Sequence, residues 1–401
     1  MPILQENAAV DHVNNVYVFI ADSVRKRSTS EAITSTGISG RAIAASTYTA
    51  SSFPSILSGQ YPSTHCVWSF DGRLAERPEL LSGGESFGMS AQSIWTHLPP
   101  TEKPPFRMVG AADEDVGTLE EMDPPFVAVE HHKGGHMPYG YSFEEYDTPE
   151  FYKDVRPSLD ELPALYEESV CTAEERFLEA LDYLKREGLL EETLVIYTSD
   201  HGESLGEAEN GATVGHGDPI SPDMVDVPIV FAGAGLPDED LEVLLSGVDV
   251  APTALSALGR KTRNLDGHDC WTDSPDQRLL RSERWVQYDA PLLGTVDRYR
   301  ASSVWDAGGG MVFHRGSRLG RVGIAIGNEF AKAPWAYLNR DPRYPRRWLG
   351  LLRGYSSGTL HYGDPDFDEE KAVSAIEPFY ESAVESGTVD QEQLRKLGYL
   401  E

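Results

Sequence analysis

The sequence predicts an α/β protein built on a mostly parallel sheet that lies between helices. Apolar, β-branched runs that end abruptly in polar residues are typical of buried parallel strands. Residues 162–187 separate two such runs and carry apolar side chains at helical spacing, which favours a crossover helix. Past residue 276 the chain changes to short alternating segments punctuated by glycine, which indicate a small antiparallel sheet. We therefore expect a core at residues 1–276 and a C-terminal appendage at residues 277–401.

The elements of the core follow in chain order. Apolar runs predict four strands, at 15–21, 124–130, 194–198 and 227–232. A Ser/Thr-rich segment at 28–52 precedes a short helix expected at 54–59. Pro252 falls in the first turn of a helix predicted at 249–258, where its fixed φ and missing N–H are tolerated.

The appendage is predicted from weaker signals. Alternation of apolar and polar residues predicts three strands, at 299–305, 310–315 and 321–326. Residues 338–366 are rich in Arg, Pro, Tyr and Gly, so we expect them to be irregular. The last stretch, 390–400, is expected to form a terminal helix.

Composition excludes several classes of protein. The 401 residues carry a net charge of −31, so nucleic acid is not an expected partner. Nine Lys against 25 Arg, with acidic residues spread along the chain, resemble the surface of a salt-adapted protein. At molar salt the Debye length is only about 3 Å, which would screen the self-repulsion. An ordinary acidic enzyme is the alternative interpretation.

Nothing in the sequence indicates secretion or a disulfide framework. The three cysteines, Cys66, Cys171 and Cys270, are odd in number and widely spaced. The first residues carry no basic leader, and no apolar run is long enough to span a membrane. We expect a cytoplasmic protein without membrane insertion, and the sequence leaves its oligomeric state open.

The strongest candidate for chemistry is the run Thr193–Glu203. An apolar strand ends in Thr-Ser and is followed by Asp200, His201 and a glycine. Ligand chemistry in α/β sheets gathers at the carboxyl ends of strands, and a carboxylate beside an imidazole suits a divalent metal. Asp22 ends the first predicted strand in the same way, although an Asp at this position could also cap a following turn.

These segments, in this order, resemble the sulfatase branch of the alkaline phosphatase superfamily. The motif from Glu192 to Gly206 is similar to the second metal motif of that family almost residue for residue. The helix around 248–259 and the ending 394–401 are also similar to family patterns. The resemblance implies the family's fold and one divalent metal ion, with Mn²⁺, Zn²⁺ or Mg²⁺ favoured and Ca²⁺ possible.

By resemblance, Asp22, Asp200 and His201 correspond to metal ligands. Ser52, two residues before Pro54-Ser55, takes the position of the nucleophile and of a further ligand. Metal coordination would activate its hydroxyl, which is a weak nucleophile at neutral pH. Thr49 and Ser51 are the alternative nucleophiles in the same segment.

Histidines complete the predicted site. His131, His136 and His216 resemble the side chains that hold the anionic group of the substrate and protonate the leaving group, with His131 and His216 assigned as catalytic. Lys133 is a further candidate for contact with an anionic substrate, or else a solvated lysine. His132 is interpreted as a bystander, and His65 as equally consistent with a structural or a functional role.

Departures from the family pattern favour one chemistry over another. Sulfatases oxidise a Cys or Ser to formylglycine within a signal that ends in Arg, but here that position is Ile56. Ser23 replaces a family Asp and His201 a family Asn, which shifts the site towards mixed nitrogen and oxygen ligands. We therefore expect a metal-dependent hydrolase or transferase of small anionic esters, with phosphoesters favoured. The alternatives are a true sulfuric ester hydrolase and a catalytically degenerate binding protein with the same fold.

Overall fold

The computed structural model of the protein describes residues 4–376 except 93–97, 208–209, 264, 275–276, 291–293 and 345. The predicted terminal helix at 390–400 lies outside these residues, and the predicted domain boundary at 276 falls within a gap and stays a prediction. The strands, in chain order, are β1 Asn15–Ala21, β2 Gly37–Ile43, β3 Ser86–Ala91, β4 Phe126–His132, β5 Thr193–Thr198, β6 Ser204–Leu205, β7 Val214–Gly215, β8 Asp226–Gly233, β9 Glu239–Asp240, β10 Leu245–Ser246, β11 Leu280–Ala290, β12 Gly294–Trp305, β13 Gly309–His314 and β14 Thr359–Gly363.

Helices connect and cover these strands. The α-helices are α1 Glu31–Thr34, α2 Thr49–Ser58, α3 Pro62–His65, α4 Pro104–Val109, α5 Thr148–Asp154, α6 Leu162–Arg186, α7 Pro222–Val225, α8 Val250–Ala257, α9 Arg318–Gly327, α10 Ala336–Asn339 and α11 Arg347–Ser356. Short 3₁₀ turns lie at Lys26–Ser28, Glu79–Leu81, Pro100–Glu102, Asp113–Asp115, Leu119–Glu121, Leu190–Glu192 and Gly247–Asp249, and Asn328–Lys332 form a π-helical turn. Among the described residues, no helix combines the length and the apolar character that crossing a bilayer requires.

The main sheet has the predicted, mostly parallel organisation. Its strand order is β10-β2-β8-β5-β1-β4-β3, with β9 paired to β2. Strands β3, β4, β1 and β5 run parallel to one another, and β8 is antiparallel to both β5 and β2. The central strands β1, β4 and β5 are buried along their whole length, which explains their continuous apolar sequences.

Two apolar layers cover the two faces of this sheet. Because side chains alternate along a strand, Val16, Val18 and Ile20 face one layer, and Tyr17 and Phe19 face the other. Helices α2 and α8 contribute to the first layer, and the long helix α6 contributes to the second. The alternation thus holds β1 in a single register, and its carboxyl end has a fixed position.

The C-terminal part contains the predicted small antiparallel sheet, in the order β11-β12-β13-β14. Two of its predicted strands are confirmed, within β12 and β13. The third, at 321–326, is wrong, because these residues belong to helix α9. The apolar residues Leu319, Val322 and Ile326 are three and four positions apart, which is helical spacing. This spacing competes with the apolar and polar alternation that predicts a strand.

Two further predictions were too simple. Residues 338–366 are not irregular, since they include α11 and β14. The Ser/Thr-rich segment contains the buried strand β2, which the sequence did not predict because its small side chains give no apolar run. Helix α2 begins at residue 49, five residues before the predicted start.

His65 is a structural residue at the end of α3. Its Nδ1 accepts the backbone N–H of Val67 at 3.0 Å, so its Nε2 carries the proton and donates to Ser55 Oγ at 2.9 Å. Burial lowers the pKa of His65 to about 3. The hydrogen bonds of the neutral ring therefore link α3 to α2. Protonation of Nδ1 would break its hydrogen bond with the backbone N–H of Val67.

We expect His65 to contribute to acid destabilisation. Its folded-state pKa lies below the value of about 6.5 in unfolded chains, so the unfolded state binds the proton first. The stability that the neutral ring contributes is present above about pH 6.5 and is lost as pH falls towards 3, at no more than about 1.4 kcal/mol per pH unit. Urea unfolding between pH 7 and 5 should therefore show a shallower loss of stability in His65→Gln than in the wild type. The exposed His12→Gln serves as control, and an unchanged slope in His65→Gln would contradict this account.

Candidate active site

Polar side chains at the ends of three parallel strands lie at one edge of the main sheet. Asp22 follows β1, Asp200 follows β5, and His131 is the penultimate residue of β4. The registers bring them together, since Ile20 pairs with Thr198 on one side and with His131 on the other. The site therefore lies where parallel strands end, as α/β sheets predict.

The side chains of Asp22, His131 and Asp200 form a compact cluster. Their ligand atoms all lie within 4.8 Å of one another. His201 borders the same cluster, with Nε2 at 3.7 Å from Asp22 Oδ1 and 3.6 Å from Asp200 Oδ2. The predicted ligands Asp22, Asp200 and His201 thus converge, and His131, predicted as a catalytic residue, lies among them.

The polar atoms of this cluster fit a metal ion. Asp200 Oδ2 and both ring nitrogens of His131 are buried and have no hydrogen-bond partner among the described residues. Buried polar atoms are normally paired, so unpaired atoms that face one another indicate a missing ligand. Two carboxylates and two imidazoles form a mixed nitrogen and oxygen donor set, which suits a divalent transition metal better than Mg²⁺.

The electrostatics of the cluster lead to the same conclusion. Burial, and then repulsion from Asp200, raise the pKa of Asp22 to about 7. Burial alone would also raise the pKa of Asp200, but His201 and His131 bring it below its usual range. Two buried carboxylates at this distance repel each other unless a cation lies between them.

His201 has a defined tautomer. Its Nδ1 lies 2.9 Å from the carbonyl oxygen of Gly202, which can only accept, so Nδ1 carries the proton. Nε2 is then an acceptor and lies 3.0 Å from the hydroxyl oxygen of Thr49. Thr49, the first residue of α2, therefore donates a hydrogen bond to the ring of His201, which borders both carboxylates.

Ser52, the predicted nucleophile and ligand, occupies a different position. It lies one turn further along α2, is fully buried, and donates to the backbone carbonyl oxygen of Asp200 at 2.5 Å. The role of Ser52 therefore stays a prediction, and the hydroxyl group that lies against the ring of His201 is that of Thr49, one of the two alternatives. Ser51, the other alternative, is fully buried as well.

Glycine allows the histidine loop after β4 to approach Asp22. Gly134 has a positive φ of 55°, and a Cβ there would come within 2.2 Å of the carbonyl oxygen of Asp22. The neighbouring Gly135 donates its N–H to the same oxygen at 2.8 Å. His132 accepts the N–H of Gly134 at Nδ1 and stacks on Phe19, which agrees with its interpretation as a bystander to the chemistry.

Lys133 is buried beside the cluster. Its ammonium group donates to Ser169 Oγ at 3.3 Å, and burial lowers its pKa to about 8. This burial excludes the solvated-lysine interpretation. The side chain supplies a positive charge near Asp22 and Glu203, whose carboxylates act to raise its pKa.

His216 belongs to a chain of buried hydrogen bonds that the sequence analysis did not predict. Its Nδ1 lies 2.9 Å from Glu203 Oε2, and Tyr139 donates to Glu203 Oε1 at 2.6 Å. The ring of His216 is 4.4 Å from that of His201 and 5.0 Å from that of His136. Glu203 stands in the Asp-His-Gly-Glu motif, two residues after His201, and that position was the signal available in the sequence.

His136 and His216 are neutral in this environment. Burial lowers the pKa of each to about 4, in His216 despite its contact with Glu203. His136 donates from Nδ1 to the carbonyl oxygen of Met137 at 2.5 Å, so its Nε2 is an acceptor. Both rings therefore present proton acceptors.

A cavity of about 250 Å³ adjoins the cluster. Asp22, Thr49, His131, His136 and His216 line it together with aromatic and apolar side chains, including Tyr48, Phe70, Phe143 and Trp335. The small sheet supports this wall, because the guanidinium of Arg284 in β11 lies 4.0 Å from the centre of the Tyr48 ring. Sequence patterns gave no signal for Phe143, Trp335 or Arg284, which come from segments distant in the chain.

Comparison with known proteins identifies relatives. A family model described as Sulfatase matches residues 111–260. A protein of Haloferax volcanii, named low-salt glycan biosynthesis sulfotransferase Agl7, is 43% identical over 394 residues, which cover 96% of each chain. An endo-4-O-sulfatase of Bacteroides thetaiotaomicron is 31% identical over 176 residues, which cover 40% of this chain and 30% of that one.

Solved structures share the fold. The phosphonate monoester hydrolase of Agrobacterium radiobacter superposes with a TM-score of 0.57 over 88% of this chain and 100% of its own, at 14% identity. At that identity the likeness shows the fold alone, and it agrees with the predicted fold class.

We expect the cluster to bind one divalent metal ion tightly. After chelation, titration with Mn²⁺ or Zn²⁺ should show one equivalent and a rise in the melting temperature, because the ion relieves the repulsion between Asp22 and Asp200. In Asp22→Asn, the metal-free protein should melt higher than the metal-free wild type, and the metal-dependent rise should be lost.

Asp115→Asn is the matched control, since this buried carboxylate is satisfied by Arg77. It should lower stability and leave the metal stoichiometry at one. His201, Glu203 and His216 could hold a second ion, but Glu203 is already engaged by two donors. Two tight equivalents in the wild type would therefore contradict this assignment.

Proposed function

The chain belongs to the sulfatase family, and we propose that it is a metal-dependent enzyme that transfers a sulfuryl group to a hydroxyl group of a glycan. One observation carries this proposal: a relative named as a glycan biosynthesis sulfotransferase matches the chain over 96% of both lengths. The convergence of Asp22, Asp200, His201 and His131 at a cavity supports catalysis over a degenerate binding role.

In this proposal, Asp22, Asp200, His131 and His201 hold the metal ion. When bound, the ion would act as a Lewis acid that neutralises the charge of the ester and lowers the pKa of a hydroxyl group beside it. The unpaired Oδ2 of Asp200 and the unpaired ring nitrogens of His131 support this ligand set.

Thr49 is the proposed nucleophile. Its hydroxyl oxygen lies 3.0 Å from Nε2 of His201, so it would lie beside a metal ion held by this nitrogen, and Thr49 lines the cavity. It is also the first residue of α2, a ten-residue helix, whose N-terminus favours negative charge. The oxygen of Thr49 would attack the sulfur of the donor ester, and the bond from sulfur to the donor oxygen would break.

His216 is the proposed proton carrier. In the first step its neutral Nε2 would take the proton of Thr49 and pass it to the donor oxygen as that oxygen leaves, and Glu203 would stabilise the imidazolium through Nδ1. In the second step Nε2 would take the proton of the incoming glycan hydroxyl group, whose oxygen attacks the sulfur, and pass it to the oxygen of Thr49 as the bond from sulfur to that oxygen breaks. Lys133 contributes positive charge throughout.

The chemistry of threonine favours transfer over hydrolysis. Formylglycine is an aldehyde made from Cys or Ser, whereas oxidation of a threonine alcohol would give a ketone, and Ile56 also breaks the modification signal. Passing the sulfuryl group from Thr49 to another alcohol exchanges one sulfate ester for a similar one. The apolar and aromatic wall of the cavity supports exclusion of water during this exchange.

A direct assay tests the proposed activity. Metal-loaded enzyme would be incubated with p-nitrophenyl sulfate, and separately with p-nitrophenyl phosphate, in the presence and absence of a hexose acceptor. We expect release of nitrophenol from the sulfate to depend on the acceptor and to produce a sulfated hexose. Preference for the phosphate would restore the phosphoester function that the sequence favoured, and acceptor-independent release of sulfate would identify a hydrolase.

Substitutions in α2 separate the two candidate nucleophiles. We expect Thr49→Val, which keeps the shape but removes the hydroxyl group, to reduce turnover about a thousandfold or more. Thr49→Ser should retain substantial activity, and Ser52→Ala should lose less than about tenfold because it removes only a bond to the backbone of Asp200.

Circular dichroism and metal titration would establish that these variants fold and bind metal. Mass analysis of the segment 41–60 should show unmodified Thr49 and Ser52. If Ser52→Ala were inactive and Thr49→Val active, the nucleophile would be Ser52, as the sequence analysis predicted.

A further inference from the structure

One segment of this acidic protein is strongly basic. Residues 315–353 contain nine of the 34 basic residues of the chain and only two of its 65 acidic residues. The segment therefore carries a net charge of +7, while the rest of the chain carries −38. Such a separation of charge is typical of a surface that meets an anionic partner.

The basic residues of this segment are exposed, and its acidic residues are not free. Among the described residues of the segment, the exposed cations are Arg315, Arg318, Lys332, Arg340, Arg343, Arg346 and Arg353. Glu329 is buried and accepts hydrogen bonds from Trp335 and Asn339, and Asp341 pairs with Arg343 at 2.7 Å. Outside the segment, Asp160 and Glu161 also lie close enough to Arg343 to interact with its charge. The segment itself keeps an excess of exposed positive charge.

The same segment exposes large apolar side chains. Of the five exposed large hydrophobic residues among those described, four lie here: Leu319 at 84%, Ile326 at 51%, Trp348 at 48% and Leu349 at 52%. The first two lie on α9 and the other two on α11. Burial of each of these side chains would be favourable, so a group of them on the surface is typical of a site that binds a partner.

Helical geometry groups these residues into one surface. Leu319 and Ile326 are seven residues apart, which is two turns, and so share one side of α9. A Cβ at Gly323 or Gly327, near the same side, would meet nothing within 4 Å. On α11, Arg346, Leu349 and Arg353 likewise share a side, and α11 packs against α9.

We propose that this surface, formed by Leu319, Ile326, Trp348 and Leu349 with Arg318, Arg343, Arg346 and Arg353, docks onto an anionic lipid membrane. Exposed Trp and Leu side chains insert at the boundary between head groups and acyl chains, and Arg side chains around them pair with lipid phosphates. The acidic remainder of the molecule is repelled by the same membrane, so only this surface can face it. The contact is peripheral and agrees with the absence of a spanning helix among the described residues.

A cavity beside the surface fits an anionic head group. It measures about 440 Å³ and is lined by the apolar residues Leu159, Pro163 and Leu205, by Arg343, Arg346 and Arg347, and by Glu207. The carboxylate of Glu207 is already paired with Arg25 and Arg27, so the cations of the lining outweigh it. The segment also reaches the candidate active site, because Trp335, which lies between α9 and α11 in the sequence, lines the cavity there.

Vesicle binding tests this inference and does not depend on the proposed catalytic function. Metal-loaded full-length protein would be sedimented with vesicles of phosphatidylcholine containing phosphatidylglycerol, and with phosphatidylcholine alone. Potassium chloride would be varied over the range in which circular dichroism shows the protein folded. We expect binding to the anionic vesicles only, weakening as salt increases.

Two double variants separate the apolar contribution to vesicle binding from the electrostatic contribution. Trp348→Ser with Leu349→Ser removes apolar insertion, and Arg343→Glu with Arg346→Glu reverses charge beside the cavity. We expect each pair to weaken vesicle binding about tenfold or more, with turnover on a water-soluble substrate unchanged. Lys185→Glu with Arg186→Glu, at the opposite end of α6 from Pro163, makes the same charge change elsewhere and should weaken binding far less.

Three results would overturn the inference. The first is a wild type that does not bind anionic vesicles at any salt concentration at which it is folded. The second is equal loss of binding in the control pair, which would indicate net charge alone. The third is a dimer by light scattering that Trp348→Ser with Leu349→Ser converts to a monomer without any effect on vesicle binding, which would assign the surface to a second copy of the chain.

Discussion

Two buried carboxylates at the ends of neighbouring strands are the constraint on which this site depends. The pairing of β1 with β5 brings Asp22 and Asp200 together, and the apolar layers on both faces of the sheet prevent either strand from shifting. Burial and mutual repulsion raise the pKa of Asp22 to about 7. A sheet that holds these charges together is more stable with a cation than without one, so metal binding and stability are linked.

The imidazoles around the cluster are oriented by a common arrangement. In His201, His136 and His216, Nδ1 is held by an acceptor, which is a backbone carbonyl oxygen in the first two and the carboxylate of Glu203 in the third. Each ring therefore has a defined tautomer and presents Nε2 as an acceptor. Acceptors bound through the second ring nitrogen commonly fix the orientation of metal-binding and catalytic histidines.

The sequence predicted the parts of the site that follow from strand ends and missed those that depend on helix register or distant contacts. Asp22, Asp200 and His201 follow apolar runs directly, so their convergence could be inferred from the order of the strands. The contact of Thr49 with His201 could not be inferred, because Pro54 suggested a helix that begins near residue 54, whereas α2 accommodates this proline in its interior. Trp335 and Arg284 reach the site only through tertiary packing, which no local pattern encodes.

The arrangement of β13 and β14 has an evolutionary consequence. These strands pair directly, with Phe313 opposite Thr359, although 45 residues separate the two positions in sequence. The residues between them form an insertion whose ends meet, so selection can lengthen or recharge its exposed parts without changing the pairing of the two strands. Because Trp335 belongs to this insertion and the candidate metal-binding residues do not, descendants of one ancestor can keep the cluster at the strand ends and change the wall of the cavity beside it.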